Sequence, residues 1–271
     1  MGSRHDVGLF PALLRHWRSR RGLSQLDLAL AADVSARHVS FLENGRAQPS
    51  RDMVLRLASN LDVPLRDQNS MLVAAGFGAE FAEPSLEQGL SPAIESALGR
   101  MLEQQEPFPL VVMDRCYNAL RTNRAALSLL GQFVRNPTRL GTPPNMLRLL
   151  FDPELARPFI VEWERVARAL LSRAHREALA HPGDGSLAAL VRSLFEYPDV
   201  PESFRQPDFS SPSEPTLAFR VRRDDLELAF LTTVTVFNAP QNVTLDELRI
   251  ESYFPLDEAT ARACERLQSA R

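Results

Sequence analysis

Three serines set the pattern of the chain's first part. In "LSQLDLALAADVSARHVSFLENGRAQPS", Ser24, Ser35 and Ser50 each stand where a helix N-cap is expected, and Gly45 stands where the helix begun at Ser35 must stop. A serine oxygen at this position accepts from a backbone N–H of the first turn, which otherwise has no partner. The helices so bounded are too short to persist alone, so they must pack on one another. The one after Ser35 has only Val39 and Leu42 to bury and is otherwise polar (Arg37, His38, Ser40, Glu43, Asn44). The pattern therefore demands a bundle of short helices with one polar helix turned outward.

The flanking sequence supplies the rest of the bundle. "LFPALLRHWRSRRG" places Leu9, Leu13, Leu14 and Trp17 on one face and ends at Gly22. Asp27 adds negative charge to the first turn of the helix begun at Ser24, and Leu28, Ala29 and Val34 face inward. After Ser50, the apolar residues are Met53, Val54, Leu57 and Leu61; Pro64 then opens a last helix that closes before Gly76. Five helices are expected in residues 1–78.

Two short helices joined by "ADV" have helix-turn-helix geometry, in which the second helix enters the DNA major groove. That accounts for its polarity. Arg37 and His38 lie in its first turn, and an arginine there can contact guanine through two hydrogen bonds. Ser35, Ala36, Ser40, Phe41 and Asn44 share the helix. Ala36 offers only shape or methyl contact, Phe41 either packs inward or meets a thymine methyl, and His38 is also placed to touch phosphate alone. Ser24 and Gln25 open the preceding helix, where phosphate can bind; Arg46, Ser50 and Arg51 follow the groove helix and can clamp the backbone. Charge agrees: residues 1–60 hold nine arginines and five acids, whereas the whole chain carries −3.

The same stretch resembles the XRE family of phage-repressor-like helix-turn-helix domains. In that family a Ser-Gln or Asn-Gln pair opens the second helix, here Ser24-Gln25, and "LExG" closes the third, here Leu42-Glu43-Asn44-Gly45. The resemblance also implies a pair between Arg18 and Glu43. A double-stranded DNA operator is the partner it implies, read by a homodimer on a palindrome.

Composition narrows the remainder. No apolar run reaches the length of a membrane span, and "MGSRHDVGLF" lacks the apolar segment of a secretory signal. Cys116 and Cys264, the only cysteines, suggest neither a disulfide framework nor a zinc site. The expectation is a cytoplasmic protein without membrane contact, metal or cofactor. All 31 basic residues are arginine, which reads as the trace of a GC-rich genome. It excludes a Schiff-base lysine, a Ser-Lys hydrolase and a lysine-bearing phosphate loop.

A boundary falls between Gly76 and Pro92, with residues 79–92 as linker and 93–271 as a second domain. There "AIESALGRMLEQQ" is an amphipathic helix through Ile94, Leu98, Met101 and Leu102. "PLVVMD" and "ALRT" are strands around the turn "RCYN", and Asn123 caps "RAALSLLG", a helix expected to end at Gly131. Residues 146–197 read as helical and the stretch to Pro215 as proline-rich loop. "TLAFRVR", "LELAFLTTVTVF" and "LRIESYF" follow as antiparallel strands, the middle one buried on both faces, and "DEATARACERLQ" closes the chain as a helix. Two early strands, a helical middle and three late strands make an α+β domain with one antiparallel sheet.

Strand, Asp114-bearing turn, strand, and Asn123-capped helix resemble the opening of PAS-like sensor domains. Together with "VEWERVARAL" and "PQNVTLDELRIESYFPLDEAT", the chain resembles the MmyB-like regulators from about residue 9 to 265. Those join an XRE domain to a PAS-like ligand-binding domain, and the resemblance implies a small apolar ligand, with long-chain fatty acid the best candidate. Trp163, Phe159, Phe219, Phe230 and Leu228 are the expected walls of such a site. Arg220 or Arg222 could meet a carboxylate at its mouth, although outward solvent contact suits each as well.

Against an enzyme stands the scarcity of histidines: His5, His16 and His38 lie in the tail and head. His175 and His181 are six apart and off the spacing of a helical metal pair. A Cys116–His175 pair is the one nucleophilic arrangement left. The stronger alternative is a second domain that only dimerises or binds another protein.

Overall fold

The computed structural model describes residues 8–84, 90–180, 185–206, 216–237, 240 and 242–269. His5, His181, residues 85–89 of the expected linker and most of the proline-rich loop before Pro215 lie outside them. The chain divides into two compact units. One joins the residues up to Glu83 with the segment Pro240–Asp246; the other joins Pro84–Ala239 with Glu247 onward.

The first unit holds five helices: α1 (Leu9–Arg20), α2 (Gln25–Ala31), α3 (Ala36–Glu43), α4 (Arg51–Asn60) and α5 (Leu65–Ala74). All three serines cap as their positions require. Ser35 accepts from the His38 N–H and Ser50 from that of Met53. Ser24 accepts from Asp27, whose carboxylate accepts in return from the Ser24 N–H, closing a capping box. Gly45, at φ +67°, takes the left-handed turn that ends α3. The core gathers Leu14, Trp17, Leu28, Val39, Leu42, Val54, Leu57, Leu61 and Met71, all buried. Leu9 does not join it: it is exposed, and Phe10 is buried in its place. Pro64 is the cap of α5 rather than its first helical residue, and it has no side chain to satisfy the first N–H groups. A distant residue supplies that acceptor: the Leu65 N–H donates to Asp246 Oδ2 at 3.0 Å. The same segment is tied by Val243 N–H to Ala82 O at 2.9 Å, with Val243 and Leu245 buried.

The second unit runs α6 (Pro92–Gln104), β1 (Leu110–Met113), β2 (Ala119–Thr122), α7 (Arg124–Phe133), α8 (Met146–Phe151), β3 (Ile160–Val161), α9 (Trp163–Ala180), α10 (Ser186–Leu194), β4 (Thr216–Arg223), β5 (Leu226–Thr235), β6 (Arg249–Pro255) and α12 (Glu258–Ser269), while α11 (Val243–Glu247), between β5 and β6 in sequence, falls in the first unit up to Asp246. The strands form one sheet in the order β2-β1-β6-β5-β4-β3, antiparallel throughout. β3 is an element that the sequence reading placed inside a helical stretch. Two residues carry no periodicity, and only pairing of Ile160 with Val221 makes them a strand. Asp114 shapes the β1–β2 turn by accepting from the N–H groups of Cys116 and Asn118, and Tyr117 sits at φ +62°. Asn123 caps α7 as expected, but α7 continues through Gly131 to Phe133.

Register decides which side chains share the sheet's inner face. Phe219 pairs with Phe230, Thr232 with Tyr253, Val234 with Glu251, and Glu251 with Val111. Alternation then places Arg249, Glu251 and Tyr253 of β6 on the same face as Leu217 and Phe219 of β4.

Candidate functional site

In the first unit, α3 is held from behind by its own buried glutamate. Glu43 is 1% exposed. Arg18 donates to it twice, Nε to Oε1 at 2.6 Å and Nη2 to Oε2 at 3.0 Å, and Gln25 Nε2 donates to Oε2 at 2.7 Å. Burial pushes this carboxyl up, but the bonds from Arg18 and Gln25 and the charges of Arg18 and Arg15 outweigh it and hold the group below its ordinary value. Arg15 also donates to the Glu43 carbonyl at 2.8 Å. Three side chains of α1 and α2 therefore converge on the last residue of α3. The Arg18–Glu43 pair was legible in the motif; Arg15 was missed, since one arginine among many in α1 carries no local signal.

With its inner end fixed, α3 presents its polar side. Ser35 and Arg37 are exposed, Ala36, His38, Ser40 and Phe41 half-buried. The Arg37 guanidinium lies 5.1 Å from the centre of the Phe41 ring, so Phe41 serves as a rest for the arginine. Asn44 caps α3 and donates to the Ser40 carbonyl at 2.8 Å. Ser24 and Ser50 are committed to capping, and the Gln25 amide to Glu43. Arg46 and Arg51 are exposed, and Arg51 already pairs with Glu80.

In the second unit, a cavity of about 460 Å³ opens between the inner sheet face and helices α8 and α9. Met113, Met146, Leu147, Leu150, Val166, Leu170, Leu217, Phe219 and Val234 give it apolar walls. A smaller void of about 70 Å³ shares Met146, Leu150, Ile160, Phe219 and Tyr253 with it. One part of the wall is polar: Tyr117, Arg173, Glu177, Arg249, Glu251 and Tyr253. Glu177 accepts from Tyr117 Oη at 2.7 Å and from Arg249 at 2.6 Å through the same oxygen. Burial beside Glu177 pushes the Tyr117 hydroxyl well up, so it stays a neutral donor. Glu251 is raised by burial, against the pull of the Arg173 charge.

Of the five residues expected to wall a ligand site, Phe219 does so. Phe230 and Leu228 are fully buried, Phe230 stacking against Phe219 and Tyr253 with centres 5.9 Å apart in each case. Trp163 is held by its indole N–H to Leu150 O at 2.8 Å and by Arg157 over its ring. Phe159 packs edge-on to Phe133. Arg220 and Arg222 both pair with Glu227 and are mostly exposed, so neither is the cation of the cavity. The cations are Arg173 and Arg249. One signal was present: Val166, Leu170, Arg173 and Glu177 form a single stripe along α9, an apolar face interrupted by charge. Cys116 and His175 belong to no such constellation; burial raises the one and lowers the other, leaving both neutral forms favoured.

A helix-turn-helix unit and, further along the chain, an α+β unit lined around a cavity define a DNA-binding transcription regulator with a ligand-binding domain. Residues 94–267 match the MmyB-like transcription regulator ligand binding domain family and residues 14–68 the helix-turn-helix family. The chain belongs to the MmyB-like transcription regulators. It is 37% identical over 90 residues to the HTH-type transcriptional regulator DdrOP3 of Deinococcus deserti, a match covering 33% of this chain and 67% of that one. Uncharacterized HTH-type transcriptional regulators of Mycobacterium bovis and Mycobacterium tuberculosis are 32% identical over 100 residues, 37% of this chain and 38% of theirs. Among solved structures, an RNA-binding light-oxygen-voltage receptor aligns at 15% identity with a TM-score of 0.29, covering 97% of this chain and 64% of that one. No described helix is long and apolar enough to cross a membrane.

Proposed function

We propose that this chain is a one-component bacterial regulator whose second domain senses an elongated apolar ligand, with a long-chain fatty acid as the candidate. The cavity carries this reading. A domain that only dimerised would gain stability by filling such a space, because interiors otherwise pack near crystal density. Its volume of about 460 Å³ and apolar walls suit a small amphiphile. DNA is read by α3, with Arg37 and His38 at base edges, Ser35, Ala36, Ser40, Phe41 and Asn44 around them, and Ser24, Gln25, Arg46, Ser50 and Arg51 along the phosphates. A homodimer on a palindromic operator is the arrangement that fits one such helix per chain.

A ligand changes operator affinity only if it binds the DNA-competent and incompetent states differently, and a tenfold change takes about 1.4 kcal/mol. The experiment is mass spectrometry of the denatured, freshly purified protein, followed by operator titration with and without added fatty acid. A co-purified acyl chain and a shifted titration support sensing. A protein that takes up no apolar molecule ends it, and uptake with an unchanged titration leaves a lipid-binding platform rather than a switch.

A further inference from the structure

Helix α8 stands between two cavities. Met146, Leu147 and Leu150 line the apolar one described above. Asn145, which caps the helix, Arg148 and Asp152 follow at helical spacing and line a second, open cleft of about 810 Å³. The β1–β2 turn divides in the same way: Tyr117 lines the apolar cavity, Cys116 and Asn118 the cleft. The loop from Arg139 to Pro143, Leu190 of α10 and Tyr197 complete it.

The polar groups of this cleft are spent unequally. Its acceptors are engaged. Asp114 accepts from the N–H groups of Cys116 and Asn118 and from the Asn118 amide. Asp152, only 5% exposed, accepts from the Glu154 N–H at 2.8 Å and from Arg139 at 3.2 Å. The Asn145 side-chain oxygen accepts from the Arg148 N–H. The donors are less committed. Arg148 pairs with no carboxylate among the described residues and reaches only Ser193 Oγ, at 3.4 Å, and the Tyr197 hydroxyl. Arg139 gives one nitrogen to Asp152. Burial and the Asp152 charge push the Tyr197 hydroxyl up against the pull of Arg148, so it stays protonated and keeps an O–H to donate.

Free donors beside engaged acceptors call for a ligand that accepts, and guanidinium donors bind an ionised oxygen most strongly. A cation would find the carboxylates already taken. Leu140, Leu155, Leu190 and the Tyr197 ring add apolar surface beside the arginines. The volume falls within the range of about 300–1,000 Å³ that small-molecule sites occupy. We infer that the cleft is a second ligand site, which takes a small organic oxyanion, a phosphate ester or a carboxylate. Arg148 and Arg139 bind its charged head, and its body rests on Leu190 and Tyr197. This site stands whatever the apolar cavity holds.

The three tyrosines of the chain divide between the two cavities: Tyr117 and Tyr253 line the apolar one and Tyr197 the cleft. Nuclear magnetic resonance of the full-length protein, isotope-labelled on its tyrosine rings, therefore reads which cavity a molecule enters. The probes are phenyl phosphate, benzoate and benzylamine, which share a ring and differ in the head. At least one oxyanion should move the Tyr197 signal to saturation and leave Tyr117 and Tyr253 in place; benzylamine should move none of them. Whichever oxyanion binds more tightly separates a phosphate ester from a carboxylate. Arg148→Gln should weaken that oxyanion by about fivefold, the upper scale of an ion pair open to water. Arg222→Gln, which removes an arginine of β4 outside the cleft, should leave the titration unchanged. Unshifted Tyr117 and Tyr253 signals report that each variant is folded. The site is overturned if Tyr197 responds to neither oxyanion, if benzylamine moves it as far, if Tyr117 and Tyr253 move instead, or if Arg148→Gln binds as wild type does. The comparison of oxyanion with amine needs no variant, so a substitution that fails to fold cannot hide the outcome.

Discussion

Two glutamates at the inner surfaces of this protein have opposite fates. Glu43 in the helical unit receives Arg18 twice and Gln25 once, and it is held more acidic than an ordinary carboxyl. Glu251 in the sheet unit meets only neutral hydroxyls at hydrogen-bond range, among them Tyr253 Oη at 3.5 Å, and burial holds it less acidic. Burial acts upward on both, and partners decide the outcome. Arginines divide the same way. Arg18 and Arg249 are locked onto glutamates, whereas Arg37 rests on Phe41 and Arg173 stands in the cavity. In each unit, the saturated polar groups tie one element to another.

The harshest way to break this contrast is Glu43→Ala. It leaves Arg18 without its carboxylate behind α3, and removing one partner of a buried pair costs about 3–5 kcal/mol. Chemical denaturation of the full chain should show the helical unit unfolding well ahead of wild type; a coincident curve would mean that the lock is idle. Next in size, Arg37→Ala should leave stability unchanged but relax preference at one base pair of each half-site, worth about 1–3 kcal/mol of discrimination. Arg46→Ala is the control: it should weaken all sequences alike and flatten the salt dependence. Operator selection with the two variants separates them, and identical motifs and affinities would remove α3 from base reading.

The gentlest change sharpens the contrast. A folded carboxyl raised above its unfolded value costs stability at neutral pH, and the cost vanishes once pH falls below the unfolded range. Glu251→Gln should therefore stabilise the protein at neutral pH and do nothing at the acid end. Glu43 runs the other way. Its contribution is full above the unfolded carboxyl range and is lost as pH falls through its depressed folded value. Melting of wild type and both variants across the acid range reads the two slopes, and equal slopes would erase the distinction.

What the sequence discloses follows from how local each cause is. Ser24, Ser35, Ser50 and Asn123 cap helices through bonds to residues three positions away, so their role can be read from a short window. The central place of β5 shows in its apolar residues on both faces. The polar wall of the cavity is different. Arg249, Glu251 and Tyr253 alternate as a solvated strand face would, and only pairing with β1 and β5 turns that face inward. Trp163 and Phe159 drew attention as large aromatics, yet size alone does not say whether a ring walls a cavity or fills the packing beside it. Leu9 erred for a related reason: at the first turn of α1 the periodicity allows either Leu9 or Phe10 inside, and contacts choose Phe10.

The acceptor that Asp246 lends to α5 makes the DNA-reading unit discontinuous in the gene. A crossover within residues 79–92 that exchanged heads between relatives would carry α1 to α5 intact but leave Val243, Leu245 and Asp246 behind in the other parent. The new head would then meet a foreign segment at the start of α5. Inheritance of this protein by parts is therefore constrained by seven residues lying far downstream of the helices they complete.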